Sequence, residues 1–396
     1  MRRLVLTALV LSLAPACAQT VLVLPFFNLS GSSNLDWIGE SIAEAVRETL
    51  AYEGILVLDR ESREEAYHRL SLRPYAQLTR ASVIKLGEVL DAERVVYGWF
   101  RLSPAPGASA PTEKSSLEVS ARVMDLRRLA QQPEDQATAA LEDLDKVQDR
   151  LAWQILGRLL EPAQAPPEGK VRGQRKPVRL DALESYIRGL RASSPEQKHR
   201  FFTQAARLDE RFSQPCFQLG RLLWASQDYK VAAGWLERVT PDDLHYMEAA
   251  FLLGLCRYQL GEYDKAVASF ESVAAALPLN EVWNNLGAAQ SRLNRAEAAL
   301  SFRKAIEGDP RDATYHFNLG YVQWKAGEFE AAADSFRAVL NLIPDDAEAT
   351  LMLGRCLRRT PPQQTQNRIA GQERLKKEFA EMAYRQLRAT LEGNRK

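Results

Sequence analysis

The sequence predicts an α+β multidomain chain, in which a small α/β domain is followed by an all-α array of helical hairpins. Strand and helix patterns alternate over residues 19–160, which is typical of a layered α/β domain. From Leu219 to Gly354 a Leu-Gly pair recurs about every 34 residues, and a period of this length indicates stacked helix-turn-helix units. A segment rich in proline and glycine, residues 161–180, separates the two regions.

The composition favours a globular protein and excludes some classes of partner. The chain has 396 residues, of which 46% are hydrophobic and 26% charged, enough for two or three domains. Its formal net charge of +1 offers no excess of cations to neutralise phosphates, so we expect no nucleic-acid partner. Beyond the first twenty residues there is no apolar run of 18, so no later membrane span is expected.

The first 18 residues have the pattern of a secretory signal peptide. Two arginines precede the apolar run 4–13, and the small-residue triplet Ala16-Cys17-Ala18 suits cleavage before Gln19. We therefore expect an exported, periplasmic protein. The alternative is lipidation of Cys17, which would make the chain an outer-membrane lipoprotein. Ala16 fits a lipobox, whereas Ala14 stands where that motif has leucine.

The α/β domain, residues 19–160, begins with the apolar strand 21–26, and Asp36 is placed to cap the first helix. We predict further strands at 55–58, 94–102 and 117–126, and helices at 36–50, 60–70, 82–90 and 134–160. The order β-α-β-α-α-β-β-α corresponds to a mixed sheet in a layered domain.

Several short motifs of this domain resemble the amino-terminal domain of TolB and related bacterial envelope proteins. They are the run Val21–Phe26 with the turn Asn28–Gly31, the helix start Ile38–Ile42, the pair Leu86-Gly87, and the strand end Val95–Gly98. The resemblance covers about 100 residues. It implies a docking module of the cell envelope that carries no known catalytic group. Nothing after residue 160 resembles the β-propeller of TolB, so its specific partners do not carry over.

The segment 161–180 is predicted to be a flexible basic linker. It contains four prolines and two glycines, with five lysines or arginines between Lys170 and Arg179, which favours an extended, unpacked tether. The alternative is contact with an acidic surface or with lipid headgroups.

The repeated region, residues 181–359, has the best-defined pattern. Its clearest unit contains Leu319-Gly320, Gly327 in the turn, Ala332, Phe336 and Pro344. Gly and Ala allow two helices to approach closely, the aromatic ring fills the gap between neighbouring hairpins, and proline ends the second helix. These residues resemble the tetratricopeptide repeat (TPR), with about five and a half repeats. The resemblance implies a right-handed solenoid with a concave, protein-binding groove.

Two features flank or accompany the repeats. Cys216, Cys256 and Cys356 fall at helix-packing positions, so we interpret them as buried small hydrophobes rather than disulfide partners.

In the C-terminal region 360–396, an amphipathic pattern over 368–391 predicts a helix that caps the last hairpin. The alternative is a partner-binding or membrane-surface helix. The apolar positions of this pattern are Leu375, Phe379, Met382, Leu387 and Leu391.

The sequence contains no pattern typical of catalysis. Its four histidines are isolated from other metal-binding residues, and neither a phosphate-binding loop nor a nucleophile motif is present. We therefore predict a protein that is not an enzyme and that has no metal or other cofactor.

The predicted binding site is the inner face of the first helix in each hairpin, counted from the repeat glycine. Aromatic rings with a few cations at these positions suit the burial of an apolar peptide. The predicted groove residues are Phe217, Arg221, Trp224, Phe251, Tyr258, Asn284, Arg292, Phe317, Tyr321, Trp324 and Lys325, and Ser291 shares the pattern. These residues predict an adaptor that binds a protein or peptide. The prediction requires an exposed groove within residues 213–359, and a groove filled by the chain's own tail would count against it. The alternative is an accessory subunit whose α/β domain senses a small ligand.

Overall fold

A computed structural model describes residues 20–105, 111–162, 164–362, 373–381 and 383–384. The predicted signal peptide, the lipidation of Cys17 and most of the predicted capping helix lie outside these residues. The chain divides into two compact units, one that extends to Gln174 and one from Arg175 to Glu381.

The first unit contains a mixed seven-stranded sheet. Its central path has the order β3-β1-β4-β5-β6, with β2 paired to β4 and β7 paired to β5. β1 is parallel to both β3 and β4, whereas β4 and β5 form a long antiparallel pair. The strands are β1 Thr20–Val23, β2 Phe27–Asn28, β3 Leu56–Val57, β4 Arg94–Ser103, β5 Ser116–Asp125, β6 Ala130–Gln131 and β7 Asp135–Ala140.

The main helices of this unit are α1 Asp36–Tyr52, α2 Arg60–Arg69, α3 Arg80–Val89 and α4 Leu144–Leu159. The side chains of Ile38, Ile42, Val46 and Leu50 lie four residues apart on α1 and are fully buried. A second core cluster joins Leu22 and Leu24 of β1 to apolar side chains of α2, α3, β4 and β5. The apolar residues that recur with helical or strand spacing in the sequence are thus buried in the core of this unit.

One predicted helix begins too early. Residues 135–140 form strand β7, which pairs antiparallel with β5, and α4 starts only at Leu144. Asp135 and Ala137 are buried while Gln136 and Thr138 are exposed, which is the period-two pattern of a strand. The helix propensity of the alanines is overridden by the free edge of β5.

The predicted extended linker also differs from the structure. Glu168–Arg172 form a short helix, α5, and Val171 is buried. Lys170 makes an ion pair with Glu53 at 3.0 Å, and the Trp153 indole donates a hydrogen bond to the carbonyl of Pro166. Proline and basic residues suggested a solvated tether, but this part of the segment packs within the first unit.

The described part of the second unit consists of five helix pairs and a single last helix. The pairs are α6 Leu180–Arg191 with α7 Pro195–Leu208, α8 Gln214–Ala225 with α9 Tyr229–Leu236, α10 Tyr246–Gln259 with α11 Tyr263–Ala276, α12 Asn280–Arg292 with α13 Ala298–Gly308, and α14 Ala313–Lys325 with α15 Phe329–Leu342; α16 is Ala347–Leu357.

Among the helices that the structure describes, none has the length and apolar character of a membrane span.

The repeat glycine makes the close contact inside each hairpin. A Cβ added at Gly254 would lie 2.6 Å from the ring of Phe270, and one at Gly287 would lie 2.9 Å from Phe302. The aromatic ring therefore packs on the glycine of its own hairpin, rather than only between neighbouring hairpins. At the turn between helices, Gly327 has a φ of +80°, which favours glycine.

The cysteine prediction is confirmed. Cys216, Cys256 and Cys356, which are the cysteines in the described part of the chain, are free and buried. Burial raises the pKa of Cys216 to about 11 and that of Cys256 to about 12, so both thiols stay protonated at neutral pH.

We expect Gly254→Ala to lower the free energy of unfolding by about 1–3 kcal/mol, because the added methyl overlaps the ring of Phe270. Gly234→Ala is the matched control. Gly234 lies inside α9 with no described atom within 4 Å of an added Cβ, so this change should be neutral or stabilise the helix by about 0.5–1 kcal/mol. Urea unfolding followed by circular dichroism measures both, and equal effects would contradict the packing.

Candidate functional site

The surface formed by the first helices α10, α12 and α14 and by the start of α16, here called the groove, holds part of the same chain. Residues 373–380, here called the tail segment, are extended and lie against this surface. The prediction of a capping helix is therefore wrong for the tail segment. Its backbone hydrogen-bonds to groove side chains instead of to a helical turn. Met382, Leu387 and Leu391 of the predicted helix lie outside the described residues.

Asparagine side chains bind the backbone of the tail segment. Asn318 accepts a hydrogen bond from the N–H of Arg374 at 2.7 Å and donates one to its carbonyl at 2.7 Å. Asn285 makes the same pair of bonds with Lys376, at 2.9 and 2.7 Å. Asn284 adds a second donor to the Arg374 carbonyl at 2.9 Å. Arg374 and Lys376, which are two positions apart, are thus each bound through both the backbone N–H and the backbone carbonyl. These contacts do not depend on the side chains of the two residues.

The three asparagines form one buried network. Each is fully buried on α12 or α14, Asn318 donates to Asn284 at 2.8 Å, and Asn284 donates to Asn285 at 3.1 Å. Asn285 and Asn318 were not among the predicted groove residues. They share one signal in the sequence, since each stands two positions before its repeat glycine, Gly287 or Gly320.

The carboxylate of Glu373 occupies a buried polar pocket. It accepts hydrogen bonds from the hydroxyls of Ser291 at 2.5 Å and Tyr258 at 3.2 Å, and it pairs with Arg292 at 2.8 Å. Lys325 lies beside this pocket, where its ammonium donates to the Ser291 carbonyl at 2.7 Å. Hydroxyls and cations converge here, so the pocket fits an anionic side chain.

Burial is the largest cause of the pKa shifts of Tyr258 and Lys325 in this pocket. Burial, reinforced by the charge of Glu373, raises the pKa of the Tyr258 hydroxyl, which stays a donor at neutral pH. Burial lowers the pKa of Lys325, while the nearby Glu373 charge partly opposes this shift. The carboxylate therefore helps Lys325 to remain charged.

The neighbouring residue of the tail segment, Arg374, enters a pocket of the opposite charge. Its guanidinium lies 2.7 Å from the Asp346 carboxylate and 3.0 Å from that of Glu348, with its centre 3.6 Å from the ring centroid of Phe317. The hydrogen bond from Arg374 lowers the pKa of Asp346, so this carboxylate stays ionised. Phe317 adds a cation–π contact.

Lys376 and Lys377 are adjacent but differ in environment. Lys376 is half-buried, pairs with Asp312 and lies 5.3 Å from the ring centroid of Tyr315. Lys377 is exposed.

The far end of the tail segment contacts α10 and α12. The ring of Phe379 packs on Phe251 with centroids 5.0 Å apart, and the N–H of Ala380 donates to the carboxylate of Glu281 at 2.7 Å. The segment therefore contacts the groove from residue 373 to residue 380.

Five of the predicted groove residues contact the tail segment directly, and Lys325 lies beside its glutamate pocket. The remaining five have their described contacts elsewhere in the repeats. The contacting residues are Phe251, Tyr258, Asn284, Arg292 and Phe317; the others are Phe217, Arg221, Trp224, Tyr321 and Trp324.

Trp324 and Tyr321 differ from the prediction because both are buried in the core around α14 and α15. The indole of Trp324 donates to the Thr360 carbonyl at 2.8 Å. Phe217 stacks on His245 with centroids 4.5 Å apart, and Trp224 packs on Tyr229. Large aromatic rings at these positions therefore stabilise the repeats.

The first unit also contains a convergent polar cluster. Glu40 is fully buried, pairs with Arg60 at 2.9 Å and with Arg63, and accepts a hydrogen bond from Tyr75 at 3.1 Å. Burial raises the pKa of Glu40, but the charges of Arg63 and Arg60 outweigh it and lower the value to about 2. These groups pair with one another, while the buried Nε of Arg63 has no hydrogen-bond partner in the described part of the chain. Among the described residues, no group of three His, Cys, Asp or Glu side chains is placed to hold a metal ion.

A protein-family model described as "Tetratricopeptide repeat" matches residues 217–281 and 286–347. These residues are tetratricopeptide repeats. The matched ranges contain α10 and α14 in full, but they omit residues 282–285 of α12, so Asn284 and Asn285 lie outside them.

Curated proteins that share this similarity include the human cell division cycle protein 16 homolog, 27% identical over 42% of this chain and 28% of its own length. Another is the peroxisomal targeting signal receptor of Saccharomyces cerevisiae, 32% identical over 24% of this chain and 16% of its own length. The chain thus spans less than a third of either relative.

Among solved structures, MamA residues 41 to the end from Desulfovibrio magneticus RS-1 is similar. It is 25% identical, with a TM-score of 0.38, over 42% of this chain and 95% of that one.

We expect the combination Asn285→Ala with Asn318→Ala to release the tail segment, because four hydrogen bonds to its backbone are lost. Trypsin should then cleave the full chain after Arg374 and Lys376 at least about tenfold faster, if each pair of bonds contributes about 1 kcal/mol. Asn341→Ala is the control, since Asn341 is exposed on α15. Equal cleavage rates in the wild type and the double variant would contradict the described contacts.

Proposed function

We propose that this chain is an exported, non-enzymatic adaptor that binds an extended polypeptide of a partner protein in the groove. The observation that supports this most strongly is the pairing of Asn285 and Asn318 with both backbone polar groups of alternate residues. Such contacts recognise extended backbone and need no particular side chain. They suit a binding site better than a simple core contact.

The family of the repeats supports the same function. Tetratricopeptide proteins generally mediate protein–protein interactions as non-enzymatic scaffolds. One similar protein is named a receptor for a targeting signal. The partner proposed for this chain is likewise a protein or a peptide.

The groove is not the open surface that the sequence predicted. The tail segment occupies it and buries Glu373. A partner therefore has to displace the tail segment, which makes the adaptor conditional rather than continuously available.

We propose for the first unit the role of a TolB-like docking module of the cell envelope. Its support is the set of sequence motifs together with the small mixed sheet. The convergent polar side chains of this unit, Glu40 with Arg60, Arg63 and Tyr75, pair with each other, so ligand sensing has less support than docking.

Export is tested by the intact mass of the chain recovered from its native envelope. The signal-peptide proposal expects a mature protein that starts at Gln19. A chain that starts at an acylated Cys17 would instead establish lipid anchoring, and a full-length chain in the cytoplasm would contradict export.

The binding function is tested with a library of random peptides displayed on phage. The bait is the full chain carrying Glu373→Lys and Arg374→Glu, which places like charges against Arg292 and against Asp346. We expect enriched peptides whose binding is lost when Asn285→Ala and Asn318→Ala are added. If the bait enriches peptides no more strongly than the bait that also carries Asn285→Ala and Asn318→Ala, the proposed function is contradicted.

A further inference from the structure

We infer that the groove selects its partner by a fixed order of side chains, and that the tail segment competes with the partner for the groove. The order is an acidic residue, a basic residue, any residue, a basic residue, and an aromatic residue three positions later. This inference rests on the proposed peptide-binding function, and it names the chemistry of the partner: a polypeptide that presents this order in an extended conformation.

The backbone contacts alone leave the register undefined. Asn285 and Asn318 bind alternate residues through groups that nearly every residue possesses, so a shift of two residues would keep the same hydrogen bonds. The side-chain pockets must therefore set the register.

The first two pockets of the groove have opposite charge. Ser291, Tyr258 and Arg292 surround the carboxylate of Glu373, whereas Asp346 and Glu348 receive the guanidinium that follows. A shift by two residues would place Leu375 in the first pocket, leaving Arg292 without its carboxylate. Burying an unpaired charge is strongly unfavourable, so the first two pockets discriminate by charge.

The third and fourth pockets extend this selection. Asp312 pairs with Lys376 beside the ring of Tyr315, and Phe251 packs on Phe379. Lys377 and Glu378 are exposed and add no selection. The chain thus supplies its own internal comparison between residues that face the groove and residues that do not.

Competition follows from the covalent connection. Ten residues separate Pro362 from Glu373. A short connection of this kind gives an effective concentration on the order of millimolar. A free peptide that makes the same contacts as the tail segment therefore binds weakly to the wild-type chain. The same peptide binds tightly to a variant whose tail segment is displaced.

The test uses a fluorescent, end-capped nonapeptide with the sequence of residues 373–381 and measures its anisotropy with two full-length hosts. We expect the host with Glu373→Lys and Arg374→Glu to bind this peptide at least about tenfold more tightly than the wild type does. Circular dichroism confirms folding, and Lys376→Glu is a second host in case the double variant misfolds.

Two rearranged peptides of the same composition test the order. Exchanging the first and fourth residues puts a cation against Arg292 and a carboxylate against Asp312, so affinity should fall at least about tenfold. Exchanging the fifth and sixth residues, which correspond to the exposed Lys377 and Glu378, should leave affinity unchanged.

Each outcome decides between the claims. Equal binding of all three peptides would overturn the charge order while the adaptor function stands. No binding of the native-order peptide by either displaced host would overturn the inference, and the peptide library then decides the adaptor function separately. The wild-type groove could instead become available to the peptide only on dilution, as the chain changes from dimer to monomer. That result would identify the tail segment of a second copy as the occupant, and it would also overturn the inference.

Discussion

Buried asparagines that bind backbone are the constraint on which the second unit depends. Asn284, Asn285 and Asn318 have no exposed surface, and their amides are shared between each other and the tail segment. A buried amide without hydrogen-bond partners costs roughly 1–3 kcal/mol, so this surface needs either water or a peptide. The tail segment supplies that peptide within the chain.

The same constraint links the repeats to function. Close packing at the repeat glycines, such as Gly287 on Phe302, fixes α12 against α13 and thereby fixes the two asparagines that precede it. The charged pockets add discrimination to the backbone contacts, since Arg292 and Asp346 receive opposite charges from adjacent residues. Stability of the hairpins and recognition of an extended chain are therefore properties of one helix surface.

Much of the architecture was predictable because it repeats. The spacing of Leu-Gly pairs predicted the hairpins, and the position of the first helices predicted Phe251, Tyr258 and Arg292 as groove residues. The tail segment was not predictable by the same means, since Leu375 and Phe379 also fit a helix face. Strand β7 was missed for a related reason: its alanines favour a helix, and pairing with β5 determines their structure instead.

The central claim is that the tail segment occupies the groove in the intact protein, and hydrogen exchange of the full chain tests it most directly. The N–H groups of Arg374 and Lys376 donate to Asn318 and Asn285, so both amides should exchange at least about a hundredfold more slowly than in the free nonapeptide. Exchange as fast as in that peptide, while the amides of α12 and α14 remain protected, would contradict the account.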